Sequence, residues 1–487
     1  MGALAGLALY RRDAWAGRIC FPLAVLAALL QGVAAVTSLW GGDFPAWVLP
    51  SAIPYLSFTL RLDPLSAFFN LTLSIVGLTI SLYSIGYVHR NTGVQASFYH
   101  LALLSLSVVF TAGDLFFFLV AWEIMALAGW CLISYGHRHE PTRDAGLLFF
   151  ILSHAGTGCV LLGFLLLFQT SGSFDFLSLH LLGGQLSPAR HNAAFLLFLI
   201  GFGVKAGIVP LHIWLPAAHP VAPSNASALL SGILLKAGIY GLVRVLFDFL
   251  GAPPVWWGSL VLTVGVISAL FGILSALVEH DLKRLLAYSS IENIGIILIA
   301  IGAALLFQSL GHGTLAALAL IAGLFHTLNH AIFKSLLFLG AGAVLSATGT
   351  REMDQMGGLI RRMPRTALFF LIGALAICGF PPLNGFIGEW LTYQALLGGF
   401  GSTGGLTRVI FPIAGSLLAL TAALAAACFV KAFGISFLAR PRGSGAESAR
   451  EVGLPMLAGM GLLAAACVLL GLGSGWFLPM FDPITAQ

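Results

Sequence analysis

Apolar stretches of about 20 residues or more, separated by short polar segments, recur along the whole chain. Each is long enough to cross a hydrocarbon core of about 30 Å at a rise of about 1.5 Å per residue. They predict membrane-spanning helices near residues 21–40, 65–88, 97–113, 115–135, 146–169, 193–215, 225–247, 255–278, 283–306, 313–346, 366–397, 408–438 and 453–479. Residues 1–10 form a further apolar stub, too short to span; the arginines behind it lack the small-residue cleavage site of a signal peptide, so it reads as a shortened first helix. The longest loops, near 41–63, 170–192 and 347–365, are about 20 residues each and leave no room for a soluble domain. The pattern predicts an all-α, polytopic membrane protein of about 13–14 transmembrane helices.

Three spans depart from a plain apolar run. The stretch 313–346 holds 34 residues, about 51 Å as one straight helix, which exceeds a bilayer with its headgroups. It should tilt, protrude or bend. Within it, FHTLNHAIFKSLLFLG places His326, His330 and Lys334 at four-residue spacing on nearly one helix face, and the HTLNH cluster is the expected interruption point. The segment FGVKAGIVPLHIWLPAAHPVAP carries Pro210 beyond Lys205, and LAICGFPPLNGFIGEWLTYQ carries Pro381 and Pro382 before Glu389. Proline removes a backbone hydrogen bond and clashes with the preceding turn, so both helices should be broken. Freed backbone groups at membrane depth are tolerated only in a protein interior or a watered cavity. The two segments also read alike: a glycine, then Pro-Leu and a polar residue (210–212 and 382–384), then Trp-Leu (214–215 and 390–391). An odd number of span steps, five, separates them, which implies an inverted repeat.

Composition agrees with the pattern: 59% of the residues are hydrophobic and 8% charged, against about one quarter charged in a soluble domain, which excludes a water-soluble enzyme. The six cysteines are scattered singly, with no CxxC pair, so no metal, cofactor or redox centre is expected in this chain. The net charge of +5 acquires meaning only when the basic residues are sorted by loop. Arg11, Arg12, Arg18, Arg90, Arg138, Arg143, Lys283, Arg284, Arg351, Arg361, Arg362, Arg365, Arg440, Arg442 and Arg450 fall on one side of the alternation, and only Arg61, Arg190 and Arg408 on the other. By the positive-inside rule the rich side is cytoplasmic and the C-terminus lies outside.

The other five basic residues, Lys205, Lys236, Arg244, Lys334 and Lys431, lie within spans, where each costs about 2.5–3.5 kcal/mol at a helix centre and usually serves a purpose. Arg244 is close to a helix end, can snorkel, and reads as an anchor. Glu123, Glu292 and Glu389 also lie within spans. Glu123 is nine residues past Asp114 at its helix start, about 13 Å along the axis and near mid-membrane. Buried acids and amines shift toward neutrality when alone and toward charge when paired, which suits a proton relay; the alternative is a set of structural ion pairs. Histidine titrates near neutrality and suits proton passage, the alternative being that His326 and His330 bond to neighbouring backbone.

The strings PLHIWLPAAHPVAPSNASALLSGILLKAGIYG, DLKRLLAYSSIENIG, LNHAIFKSLLFLGAGAV and FPPLNGFIGEW resemble the antiporter-type membrane subunits of respiratory complex I and its relatives, and most closely the hydrogenase-4 and formate hydrogenlyase branch. The resemblance covers roughly residues 20–480. It implies two inverted five-helix repeats, 97–247 and 255–438, between N-terminal helices (1–96) and a C-terminal helix (439–487). It further implies that Glu123 and Lys205 match the family's glutamate–lysine pair and Lys236 the next lysine inward. Lys334 then matches the central lysine of the second half, Glu389 the exit-side ionisable residue, and Lys431 a lysine of the hydrogenase-like branch; Glu292 receives no role. The implied function is a proton-translocating, non-redox subunit of a complex-I-like assembly in a prokaryotic inner membrane, with other membrane subunits and the lipid bilayer as partners and no nucleic acid. A subunit of a multi-subunit sodium/proton antiporter and a purely structural anchor are the alternatives. Two departures stand out: the N-terminal stub, and a chain that stops at Gln487 where large hydrogenase-type subunits continue.

Overall fold

A computed structural model describes residues 1–42, 44–50, 58–181, 186–402 and 407–485. After a two-turn stub at Gly2–Ala8 come α1 (Asp13–Leu39), a small antiparallel hairpin of β1 (Trp47–Leu49) and β2 (Phe58–Leu60), α2 (Pro64–Tyr87), α3 (Thr92–Thr111), α4 (Leu115–Ile133) and α5 (Glu140–Ser171). Next are α6 (Pro188–Ala206), α7 (Trp214–Val221), α8 (Ser224–Phe249), α9 (Val255–Val278), α10 (Leu282–Ser309) and α11 (Gly313–Thr348). The last are α12 (Pro364–Ile377), α13 (Asn384–Ser402), α14 (Thr407–Phe437) and α15 (Leu454–Leu472). Among the described residues, 11 uninterrupted helices are long and apolar enough to cross a membrane. With the interrupted pairs α6/α7 and α12/α13, they account for the thirteen spans read from the sequence. The protein is a multi-pass, all-α integral membrane protein.

Aspartates set several helix starts. Asp63, ahead of Pro64, accepts from the Ser66 N–H at 2.8 Å, Asp114 from that of Phe117 at 2.8 Å, and Asp281 from those of Lys283 and Arg284. Each satisfies donors that a helix N-terminus leaves without partners. Every residue of the most apolar window of α8 and of α10 is buried within the protein, and α11 and α2 are nearly as enclosed, whereas only about a third of the corresponding windows of α1, α5 and α14 is buried. The four enclosed helices form a central layer wrapped by lipid-facing ones, and the polar residues concentrate in it. Close approach is built by glycines: Gly258, Gly265 and Gly272 on α9 and Gly295 and Gly302 on α10 recur at seven-residue intervals, and a Cβ at Gly265 would lie 2.7 Å from the Ile299 nitrogen. Small residues let helices pack in lipid, where no hydrophobic drive holds them together.

Both Pro-Leu segments are broken as expected. α6 ends at Gly207 (φ +77°) and α12 is followed by Gly379 (φ +65°); each glycine precedes by three residues a proline in a cis peptide, Pro210 and Pro382. Side chains tie both breaks to their surroundings. Trp214 Nε1 donates to the Val204 carbonyl at 2.9 Å, and the Asn329 amide on α11 donates to the Asn384 carbonyl at 2.8 Å. Pro22 and Pro412, in contrast, sit inside the continuous α1 and α14. The long run also departs from expectation. α11 is one unbroken helix of 36 residues, with no interruption at HTLNH, because that cluster holds no proline and its polar side chains project from an intact ladder.

Candidate functional site: a buried polar axis

α8 departs from regular helix twice, with π-helical turns at Leu230–Leu234 and Arg244–Phe249. A π turn lengthens the backbone hydrogen-bond spacing, and such turns are frequent at functional sites. Here the Lys236 ammonium, fully buried, donates to the Ser231 carbonyl. The Ser231 hydroxyl meets that of Ser290 on α10 at 2.9 Å, and Ser290 donates to the Leu286 carbonyl at 2.9 Å. That same carbonyl accepts from Lys334 Nζ at 2.9 Å, and Lys334 also donates to the Ser289 hydroxyl. Two buried lysines on different helices are thus linked through two serine hydroxyls and two carbonyls, those of Ser231 and Leu286.

The axis continues along α11. His330 is fully buried, and among the described residues neither of its ring nitrogens has a hydrogen-bond partner. The ring stands within electrostatic reach of Lys236, Lys334 and His326. His326 Nε2 faces the Asn293 side-chain oxygen at 3.2 Å; an amide oxygen only accepts, so Nε2 carries the proton and Nδ1 is left bare. Neither histidine bonds to neighbouring backbone, which sets aside that reading. The Asn293 amide donates to Glu292 at 3.3 Å, and Glu292, buried on α10, lies within electrostatic reach of Lys334 and Glu389. Glu389 lies against the second break: a Cβ at Gly379 would come within 2.8 Å of its carboxylate. Across the first break, His219 is fully buried, stacks on Phe338 at 4.7 Å and is within reach of Lys236, Lys283 and Lys334.

On the basic-rich face a cavity of about 750 Å³ is lined by Asp144, His212, Glu279, Asp281, Arg284 and Arg351 among others. The arrangement offers closely spaced titratable and hydroxyl groups enclosed in an apolar body, which is what stepwise proton passage requires.

The sequence profile described as "NADH:quinone oxidoreductase/Mrp antiporter" matches residues 112–410, and that of the complex I chain 5 N-terminus matches residues 47–99. This chain belongs to the antiporter-type membrane subunits of the complex I superfamily. It is 46% identical over 431 residues to hydrogenase-4 component B of Escherichia coli, covering 87% of this chain and 64% of that protein. To formate hydrogenlyase subunit 3 of the same organism it is 39% identical, covering 88% and 69%. The chain thus spans about two thirds of the length of these relatives. A solved archaeal membrane-bound sulfane sulfur reductase contains a chain that superposes with a TM-score of 0.85 at 27% identity, covering 99% of this chain and 76% of that one.

Within this antiporter-type subunit, Lys236, Lys334, His326, His330 and Glu389 line one axis, joined by Glu292, to which the sequence assigned no role. Glu123 and Lys205 do not form the expected direct pair. Glu123, half-buried on α4, meets His154 of α5 at 3.1 Å, while the fully enclosed Lys205 ammonium faces Ser153 at 3.4 Å and the rings of Trp122 and Phe149. His154 was visible as a polar residue in an apolar span, but its neighbour on another helix was not. Lys431 donates to the Leu277 and Glu279 carbonyls at 2.8 Å each, closing the C-terminal end of α9, where a cation is favourable. Phe429, two residues earlier on α14, faces Lys334. Two basic residues move from their expected settings. Lys283 is not a loop cation: it is buried and donates to the Ala222 carbonyl beyond α7. Arg244 is not a snorkelling anchor: it is buried between Asp63 and Asp248.

Proposed function

We propose that this chain is a proton-translocating membrane subunit of a complex-I-like, redox-driven assembly of the hydrogenase-4 and formate hydrogenlyase kind. The observation that carries the reading is the serine-bridged contact between Lys236 and Lys334, continued by His330, His326 and Glu292 towards Glu389. Glu123, Lys205 and Lys431 belong to the same relay in this proposal, as a lateral entry and a cytoplasmic-side branch. The subunit holds no redox centre and takes its driving energy from other membrane and electron-transfer subunits. Residues 97–247 and 255–438 are the two inverted halves; the matched glycine–proline breaks before α7 and α13 support that division. The family also includes Mrp antiporters, so a subunit of a multi-subunit sodium/proton antiporter is the second reading. Copurification in mild detergent separates them: nickel and iron–sulfur subunits support the first, and small membrane partners alone support the second.

Removing the serine bridge tests the axis. Ser231→Ala leaves the carbonyl that seats Lys236 and deletes only the hydroxyl that meets Ser290. Coupled proton uptake should fall roughly fivefold, the rate equivalent of one net hydrogen bond of about 1 kcal/mol. Ser335→Ala, whose hydroxyl bonds only to its own helix at the Ala331 carbonyl, should leave uptake unchanged. Equal uptake in all three proteins would remove the bridge from the relay.

The membrane is a prokaryotic inner membrane in this proposal, with the basic-rich face cytoplasmic and the C-terminus outside. Position 183, central to the outer loop, lies outside the described residues, and Gly357 adopts φ +117° against the Arg440 carbonyl and tolerates no side chain. Exposed Gln355 and Ser187 serve instead. Gln355→Cys should react with an impermeant maleimide only from the cytoplasmic side and Ser187→Cys only from outside; the opposite labelling inverts the orientation.

A further inference from the structure

Lys236, Tyr240, Arg244 and Asp248 follow one another at four-residue spacing along α8, so they form a line leading from the axis towards the face opposite the basic-rich one. At its far end lies a cavity of about 320 Å³ lined by Arg61, Asp63, His180, Arg244 and Asp248. His180 is exposed, so the cavity meets the surface. Arg244 is eight residues from Lys236, about 12 Å along the helix. An aqueous inlet therefore comes within about two helical turns of a relay lysine.

What fills those two turns is aromatic. The Tyr240 ring meets Phe69 of α2 at 5.2 Å and Phe110 of α3 at 5.2 Å, and those two rings meet each other at 5.3 Å; all three residues are fully buried. The Tyr240 hydroxyl donates to the Phe110 carbonyl at 3.1 Å and accepts from Arg244 at 3.2 Å. Arg244 donates further to Asp63 at 2.8 Å, Ser66 at 3.1 Å and Asp248 at 2.7 Å. One guanidinium thus pins α2 to α8 and holds the tyrosine that closes on α3. Burial alone would raise the Asp63 carboxyl, but the charge and hydrogen bonds of Arg244, with those of Ser66, hold it below the ordinary carboxylate range, so the clamp stays ionised. Arginine does not surrender its proton, so it ends a proton path rather than extending it. Lys236 itself turns the other way, towards the Ser231 carbonyl.

We infer that Phe69, Phe110 and Tyr240, clamped by Arg244, form a proton-tight seal that closes the Lys236 end of the axis to the opposite aqueous face. The inference rests on the relay reading for Lys236. Its consequence is directional: protons reaching Lys236 pass inward towards Lys334 rather than leak out along α8.

The test uses the full chain, within its copurified membrane complex, in liposomes without turnover, and follows the collapse of an imposed pH gradient. Phe69→Ala with Phe110→Ala should speed the collapse on the order of tenfold, a barrier loss of about 1.4 kcal/mol. Adding Lys236→Ala should bring the leak back to the wild-type rate. Because deep truncations can compromise folding, Tyr240→Leu, which keeps the volume roughly and removes the hydroxyl closure, is measured beside it and should leak in the same sense. A correctly assembled Phe69/Phe110 variant and Tyr240→Leu that both hold the gradient as the wild type does would overturn the seal, as would a leak that persists without Lys236. Failure of the relay reading itself registers separately, in pumping by a Lys334→Ala complex.

Discussion

Lys334→Ala is expected to reduce coupled proton movement to the uncoupled background while the complex still assembles. Lys334 is fully buried, is joined to Lys236 through the serine bridge and is within reach of Glu292, so its loss deletes the titratable group on which both halves of the axis converge. The polar part of the structural cost should be small. The Leu286 carbonyl keeps Ser290 at 2.9 Å and Ser289 at 3.2 Å as donors, so no acceptor is stranded, and removing a buried charge also removes its desolvation cost. The small side chain leaves a cavity of a few methylenes, which costs about 2–4 kcal/mol. Lys334→Met fills that space and separates the two effects. Assembly yield by native gel and proton uptake in inverted vesicles check the result; full pumping by an assembled Lys334→Ala complex would eliminate the relay.

The second large effect is expected at Lys205. Among the described residues no carboxylate touches its ammonium, which is held by Ser153 and two aromatic faces, a setting in which a cation is stabilised but not neutralised. Lys205→Met should therefore assemble at least as well as the wild type, since an apolar side chain of similar length suits that enclosure better. Proton uptake should nevertheless drop by about a hundredfold or more, the lower end of what a positioned acid–base group contributes. Glu123→Gln keeps a group that can bond to His154, its partner at 3.1 Å, so the substitution strands no polar atom of that pair. If Glu123 and Lys205 formed only a structural clamp, the double variant would restore both assembly and function. The relay predicts a double variant that assembles and does not pump; normal pumping by it would remove Glu123 and Lys205 from the relay.

How much of this was legible in the chain differs from residue to residue. Every span was visible because a bilayer demands about 20 apolar residues per crossing and so writes each helix locally. The line of His326, His330 and Lys334 was visible for the same kind of reason, since helical periodicity alone puts them on one face. Glu292 was visible as an acid in an apolar run, but its role was not: it depends on α10 lying beside Lys334 and Glu389.

Prolines were a partial guide. They marked the two broken helices, yet Pro22 and Pro412 sit in helices that continue. At both breaks a glycine three residues earlier takes a left-handed backbone; Trp214 then takes up the Val204 carbonyl within the same segment, whereas Asn329 reaches the Asn384 carbonyl from α11, and that second contact is tertiary. Arg244 and Lys283 were misplaced because distance from a helix end measures only how far a side chain could snorkel. Whether a carboxylate or an open carbonyl lies nearer than the headgroups depends on a neighbouring helix. Glu123 paired with His154 rather than Lys205 because a single helical turn, or a small rotation about the axis, decides which of two facing side chains comes within 4 Å. The sequence by itself therefore determined the membrane class, the spans, the family and most of the buried titratable residues, all of which follow from local composition and period. The tertiary structure alone decided which of those residues touch, through serines that no charge pattern would single out, because contacts between helices depend on rotation and depth that hydrophobicity along one chain does not encode.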